Sequence, residues 1–203
     1  GYAEAFAAEG FACFVVTYRL APGGHSHPAM LEDAFAAIHA VRARAGEFDL
    51  DRLGVVGSSA GGHLAAHAMT AWPEHPLGRA LRPDFGILAY PVITGEACYT
   101  SARTLKNWSG GTVDGTKRAA FSLENHVGPD TPPCFLWHTT EDTGVPFEKS
   151  VRYARALGAR GIPFELHVYQ KGKHGLGLGT GFDWKRECLR WLADGPGTAR
   201  PAP

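Results

Sequence analysis

The chain has no excess of either charge: 20 lysines and arginines stand against 20 aspartates and glutamates. No basic stripe interrupts that balance, so nothing draws the chain to a polyanion, and nucleic-acid binding falls away as a function class. Long apolar runs are missing too. None approaches the roughly 20 residues that a membrane-spanning helix needs, and no membrane partner is expected. Cysteine is sparse. Cys13, Cys98, Cys134 and Cys188 are far apart and show no CxxC spacing, which leaves no cysteine framework for a metal. Cys13 and Cys134 fall in apolar, strand-like runs and are expected as buried free thiols. The 10 histidines are many for this length, but the nearest pair, His25 and His27, sits in a Gly/Pro-rich loop without a partner carboxylate. That is a poor metal site. No metal and no cofactor are expected. No secretory signal opens the chain; the compartment stays open, with the cytoplasm favoured.

What is present is an ordinary globular composition. The 203 residues, 44% apolar and 20% charged, suit one domain with a substantial core. Phe11–Tyr18, Arg52–Val56, Phe85–Tyr90, Cys134–His138 and Phe164–Tyr169 read as strands, most of them continuous apolar runs. Helical patterns fall between them, at residues 3–9, from Pro28 to about Ala45, from Ser59 to about Ala71, from Val145 to Arg160 and from Gly181 to Ala193. Continuous apolar strands alternating with helices imply a parallel sheet covered on both faces, with its active site at the carboxyl ends of the strands. Residues 92–131 break the alternation. They are polar, rich in Gly and Thr, and show short helical pieces only near 116–125. Trp184 and Trp191 lie at helical spacing and are expected in the core. The chain divides into a domain over 1–194 and a Pro/Gly/Ala tail over 195–203, expected to be disordered.

The sharpest motif is Gly57-Ser58-Ser59-Ala60-Gly61, between a strand and a helix. In that setting G-x-S-x-G is a nucleophile elbow. The glycines allow a tight reversal with strand and helix in close approach. Ser59 would be held exposed, and the free N–H groups of the following helix suit a developing oxyanion. A serine needs a base, and the base needs an acid to orient it. The strand at 134–138 is followed by Glu141 and Asp142, and the strand at 164–169 by His174 among four glycines. The order serine, acid, histidine is that of α/β-hydrolases. Asp142 is the first choice for the acid, and Glu141 competes with it. His174 is the base. His63, four residues past Ser59, is expected beneath the site. His138 is expected as a satisfied strand-end residue.

Four segments then carry a resemblance: Gly-Ser-Ser-Ala-Gly-Gly-His-Leu-Ala-Ala (57–66), Ala-Tyr-Pro-Val-Ile-Thr (89–94), Asp-Thr-Pro-Pro-Cys-Phe-Leu-Trp-His-Thr-Thr-Glu-Asp (130–142) and the stretch at 163–178 ending Gly-Lys-His-Gly-Leu-Gly-Leu. They resemble the acetyl-xylan-esterase-like branch of the α/β-hydrolases up to about residue 193. The resemblance implies a three-layer α/β fold with a mostly parallel sheet. It implies a serine carboxylesterase acting on acetylated carbohydrates such as xylan fragments, with Ser59 as nucleophile, Asp142 as acid, His174 as base and the Ala60 N–H in the oxyanion hole. That branch also has strands before this point, one followed by a glycine-rich loop with a second oxyanion donor. The chain is therefore expected to be N-terminally truncated, with the first strands of the sheet missing. Two other readings compete: a prolyl-oligopeptidase-type peptidase, and an esterase fragment of low activity. The partner expected is a small-molecule or oligosaccharide ester. Acyl length, sugar and oligomeric state stay open.

Overall fold

The computed structural model describes residues 1–48 and 50–195; the expected disordered tail falls, apart from Gly195, outside them. Among the described residues, four strands form one sheet in the order β1 (Gly54–Ser58), β2 (Phe85–Ala89), β3 (Cys134–Thr139) and β4 (Phe164–Tyr169), every neighbouring pair parallel. Parallel neighbours need a crossover between them, and helices supply it. In chain order the helices are α1 (Tyr2–Ala7), α2 (Ala29–Ala43), α3 (Ala45–Phe48), α4 (Ser59–Ala71), α5 (Ala102–Ser109), α6 (Gly115–Phe121), α7 (Glu148–Ala159) and α8 (Trp184–Ala193).

The pleat sorts the core. Side chains along a strand alternate between the two faces of the sheet. Leu88, Cys134 and Leu136 pack with Ala66 and Met69 of α4 and with Tyr153 and Leu157 of α7. Their neighbours Ile87, Ala89, Phe135 and Trp137 take the opposite face, against Phe6 of α1 and Trp184, Cys188 and Trp191 of α8. Both faces of β2 and β3 are thus covered, and every residue of either strand is buried. α2 adds a further contact on the outside of α4 through Leu31, Phe35 and Ile38.

Three expectations need correction. Phe11–Tyr18 is not a strand, and it is not buried. Phe11, Phe14 and Val16 are exposed, and Val15 is 82% exposed. An apolar run favours burial, but a strand exists only where a neighbouring backbone offers its N–H and C=O groups. The segment does not pair with β1, which forms an edge of the sheet. It is held by side chains instead: Phe11 meets Phe6 at 5.9 Å, Phe14 meets Phe48 at 5.1 Å, and Arg19 ion-pairs with Asp33. Cys13 is exposed for the same reason, whereas Cys134 is buried. In the 92–131 stretch, α5 lies outside the helical pieces expected near 116–125. Ser101 caps it by accepting the Thr104 N–H, and Gly110 ends it at φ +72°. Its inward residues are Leu105 and Trp108.

Several ends also move. β1 starts and stops two residues later than expected, which brings its carboxyl end to Ser58. α7 starts at Glu148 rather than Val145, because the Val145 N–H is used by Asp142. α8 starts at Trp184, where the Asp183 carboxylate accepts the Arg186 N–H.

Candidate active site

β1 ends at Ser58 and α4 begins at once with Ser59. Ser59 has φ +53°, a left-handed conformation rare for a residue with a side chain. Such a backbone costs about 1–3 kcal/mol and persists only where its surroundings enforce it. Here the glycines do so by contact. A Cβ on Gly57 would lie 2.1 Å from the Gly61 carbonyl oxygen, and one on Gly62 would lie 2.8 Å from Pro91. The Ser59 carbonyl accepts the Val92 N–H at 3.0 Å, which ties the reversal to the end of β2. The first turn of any helix leaves its N–H groups without intrahelical partners, and the Ala60 N–H sits in that turn, beside the Ser59 side chain.

Ser59 Oγ lies 2.8 Å from His174 Nε2. On the other side of the ring, Nδ1 lies 2.7 Å from Asp142 Oδ2. A carboxylate only accepts, so the ring proton sits on Nδ1 and Nε2 is free to accept from the serine hydroxyl. The Asp142 side chain is almost fully buried, while His174 is partly open to solvent. Asp142 Oδ1 accepts the Gly144 N–H at 2.9 Å and the Val145 N–H at 2.8 Å. The backbone thereby fixes the carboxylate, and its other oxygen is left for the ring. Glu141 points elsewhere. It accepts the Gly172 N–H at 3.1 Å, joining the loop after β3 to the loop after β4. The geometry brings Ser59, His174 and Asp142 into one line, and Glu141 is not in it.

The loop that carries His174 is pinned on three sides. Thr139 Oγ1 donates to the Gly172 carbonyl at 2.7 Å, Trp184 Nε1 donates to the Gly177 carbonyl at 2.9 Å, and the Gly177 N–H donates to the Tyr90 hydroxyl at 3.2 Å. The Tyr90 ring stands edge-on to His174 with centroids 5.1 Å apart, at a backbone φ of +38°. Tyr2 reaches the same hydroxyl at 3.2 Å. Burial, reinforced by Tyr90, pushes the Tyr2 hydroxyl above its ordinary pKa and keeps it protonated. Sequence reasoning missed both tyrosines. The only local signal was Tyr90-Pro91 immediately after a strand, where a side chain reaches the active edge of a parallel sheet.

His63 is buried and does not reach Ser59. Its Nε2 pairs with the Phe121 carbonyl at 3.0 Å, and burial pushes its pKa down to about 4. His67, one turn on, is pushed down to about 2, chiefly by burial and then by the neighbouring His63. Among the described residues, no group of three or more His, Cys, Asp or Glu gathers to hold a metal ion. None of the described helices is long and apolar enough to cross a membrane.

The pattern of the prolyl oligopeptidase family matches residues 18–196. The chain belongs to that family of α/β-hydrolases. It is similar to proteins named for xylan and ester hydrolysis. It is 39% identical over 158 residues to endo-1,4-beta-xylanase B of Butyrivibrio fibrisolvens, covering 74% of this chain and 25% of that protein. It is 31% identical over 192 residues to an acetylxylan esterase of Xylanibacter ruminicola, covering 92% of this chain and 38% of that one. It thus spans well under half of either relative. Among solved structures, the acetyl ester-xyloside bifunctional hydrolase of Caldicellulosiruptor lactoaceticus superposes with a TM-score of 0.79 at 39% identity, over 88% of this chain and 69% of the other. The carboxylesterase Cest-2923 of Lactobacillus plantarum gives 0.79 at 28% identity, over 95% and 78%. The four-stranded parallel sheet between helical layers is the α/β-hydrolase arrangement that the elbow and the order of the loops implied.

Proposed function

We propose that this prolyl oligopeptidase family chain is the catalytic part of a serine ester hydrolase that removes acetyl groups from acetylated xylan or xylo-oligosaccharides. In the chemistry, Ser59 Oγ attacks the ester carbonyl and its proton passes to His174 Nε2. Asp142 holds the ring in the Nδ1–H tautomer and stabilises the imidazolium that forms. The tetrahedral oxyanion faces the Ala60 N–H at the positive end of α4. Collapse breaks the ester C–O bond, and His174 returns the proton to the departing sugar hydroxyl. Water then repeats the sequence on the acyl-Ser59 and releases acetate.

The observation that carries this reading is the continuous relay from Ser59 through His174 to Asp142, at 2.8 and 2.7 Å. The substrate class rests on the relatives named for acetylxylan and acetyl ester-xyloside hydrolysis. A peptidase reading has its own support in the 26% identity, over 183 residues, to the acylamino-acid-releasing enzyme of Rattus norvegicus. One experiment separates them. The chain is labelled with a fluorophosphonate, then supplied with acetylated xylo-oligosaccharides and, separately, with N-acetylated peptides. Labelling confined to Ser59 and acetate release from the sugar are expected. Peptide cleavage without sugar deacetylation would transfer the activity to the peptidase class, and labelling that survives Ser59→Ala would remove Ser59 as the nucleophile.

A further inference from the structure

Beside the triad lies a fully buried histidine for which the reaction has no direct use. His138 stands on β3, four residues before Asp142, and is 0% exposed. Its Nε2 lies 2.8 Å from the Val145 carbonyl oxygen and 3.4 Å from Asp142 Oδ2. Its Nδ1 lies 2.8 Å from Ser150 Oγ on the first turn of α7. A carbonyl only accepts, so Nε2 carries a proton. Burial pushes the pKa of His138 down, so the ring is neutral, Nδ1 is a lone pair and the Ser150 hydroxyl donates to it. The tautomer follows from these partners.

We infer that His138 is a positioning residue for the triad acid, locked by Ser150 as the neutral Nε2–H tautomer. Its single N–H donates to the Val145 carbonyl, which closes the turn around the carboxylate, and its Nε2 lies 3.4 Å from the Asp142 oxygen that faces His174. The turn is thereby held at both ends. The Val145 N–H binds Asp142 Oδ1, and the Val145 carbonyl binds His138. Because Ser150 belongs to α7, the same ring couples that helix to the acid. The charged and titratable groups facing His138 are Asp142 from the acid turn and, beyond it, His174 from the loop after β4. From α7 it meets the neutral Ser150. Lys149 of the same turn is turned away, donating to the Thr94 carbonyl and the Thr100 hydroxyl. His174 in turn meets Asp142, Ser59 and the edge of Tyr90.

The consequence is electrostatic as well as geometric. The His138 N–H, with Nε2 3.4 Å from Asp142 Oδ2, sets the positive end of its dipole beside the oxygen that faces His174 and offsets part of that oxygen's negative charge. Without it, the carboxylate favours the imidazolium more strongly, and the base stays protonated to higher pH. The inference rests on the hydrolase reading above, and the test separates the two. His138→Leu, His138→Gln and Ser150→Ala are compared with the parent chain, each normalised to sites titrated by fluorophosphonate. Gln can place an amide N–H where Nε2 stood; Leu cannot.

His138→Leu is expected to lower kcat on the order of tenfold to a hundredfold, as for a buried acceptor left unpaired. KM should stay within about twofold, since His138 touches no substrate, and the acidic limb of the kcat/KM profile should move up by about half a pH unit or more. His138→Gln should recover most of both effects, and Ser150→Ala should move the limb the same way by less. The downfield NMR signal of the His174 Nδ1 proton reads the Asp142 bond directly, even in a chain that turns nothing over, and should shift in the Leu and Ala variants. A parent chain without Ser59 labelling fails the hydrolase reading, and the proton signal still tests the positioning. An unmoved limb with an unmoved Nδ1 signal, or a Gln variant no better than Leu, would reduce His138 to packing. If the Leu variant does not fold, Ser150→Ala decides by the same two readouts.

Discussion

Asp142 and Glu141 are adjacent carboxylates with different environments, and the difference is quantitative. Asp142 spends one oxygen on two backbone N–H groups and the other on His174, from a fully buried position. Glu141 is exposed and bonds a single loop N–H. Asp142→Asn keeps the shape but offers the ring an amide and removes the charge that stabilises the imidazolium. Turnover on p-nitrophenyl acetate is expected to fall on the order of a thousand-fold or more. Glu141→Gln leaves the triad intact and should cost less than about tenfold, by loosening the loop after β4. Equal losses, or a larger loss for Glu141→Gln, would transfer the acid role. At this scale the sequence was informative wherever a residue stood directly after a strand. Ser59 and His174 each follow one, and so do both Glu141 and Asp142, so chain order proposed the line but left the acid between two carboxylates until the geometry brought Asp142 to His174. Tyr90 also follows a strand, yet its task depends on the backbone of Gly177, 87 positions away. His138 acts through the hydroxyl of Ser150. Neither partnership leaves a spacing that can be read along the chain.

Among the elements, α4 does most to join the site to its surroundings, and it carries two buried histidines. His63 stacks on Phe121 of α6, with centroids 4.0 Å apart. His67 stacks on His27, which in turn stacks on Trp108 of α5. The cluster fastens α5, α6 and the loop before α2 to α4, the helix that opens with Ser59. Its titration has a definite sign. Burial lowers His63 to about 4 and His67 to about 2, below the value of about 6.5 for an unfolded histidine. Between those values the unfolded chain binds more protons, so stability is full above about pH 6.5 and is lost as pH falls. The slope is about 1.4 kcal/mol per pH unit for each histidine. The neighbouring His27, His126 and Lys149 oppose protonation further. Urea midpoints measured from pH 7 to pH 4 should therefore fall steeply, and His67→Phe should flatten the fall by roughly half. An unchanged slope in that variant would place the acid sensitivity outside the cluster. The strands β2 and β3 and the helices beside them were legible because each combines an apolar run with a clear turn; β4 interleaves Glu165 and His167 with its apolar residues, as suits an edge strand with partly exposed faces. α5 was not legible, since its eight residues carry only Leu105 and Trp108 as apolar anchors within a long polar stretch, and so short a pattern does not stand out. Phe11–Tyr18 misled in the opposite way. Its composition is that of a buried strand, but pairing is a property of the neighbour, which composition does not record.

On the scale of the whole molecule, the sheet of the described residues has two edges, β1 and β4. β2 and β3 are covered on both faces, whereas β1 ends the sheet and offers a row of backbone donors and acceptors along one side. Val56 on that strand is 44% exposed, and the segment from Phe11 to Val16 adds Phe14, Val15 and Val16 to the exposed apolar surface. An open strand edge together with exposed apolar side chains is a template for pairing with another chain. Net charge does not oppose it, because the basic and acidic residues balance at 20 each and like-charge repulsion between molecules is weak. The chain is therefore expected to self-associate as its concentration rises. The opposite edge, β4, also exposes Phe164 and Val168, but it carries the charged Glu165–Arg190 pair, and charge on an edge strand opposes pairing. Sedimentation velocity over a hundredfold range of concentration (about 1–100 µM) provides the measurement. The parent should show a sedimenting mass that grows from the 21.7 kDa of one chain, and the double variant Val15→Lys, Val56→Lys should remain at one chain throughout. Both positions lie away from the Ser59–His174–Asp142 line, so fluorophosphonate labelling of the variant should be undiminished. A parent that stays monomeric over the whole range, or a double variant that associates as readily, would show that β1 and the 11–18 segment are not adhesive surfaces.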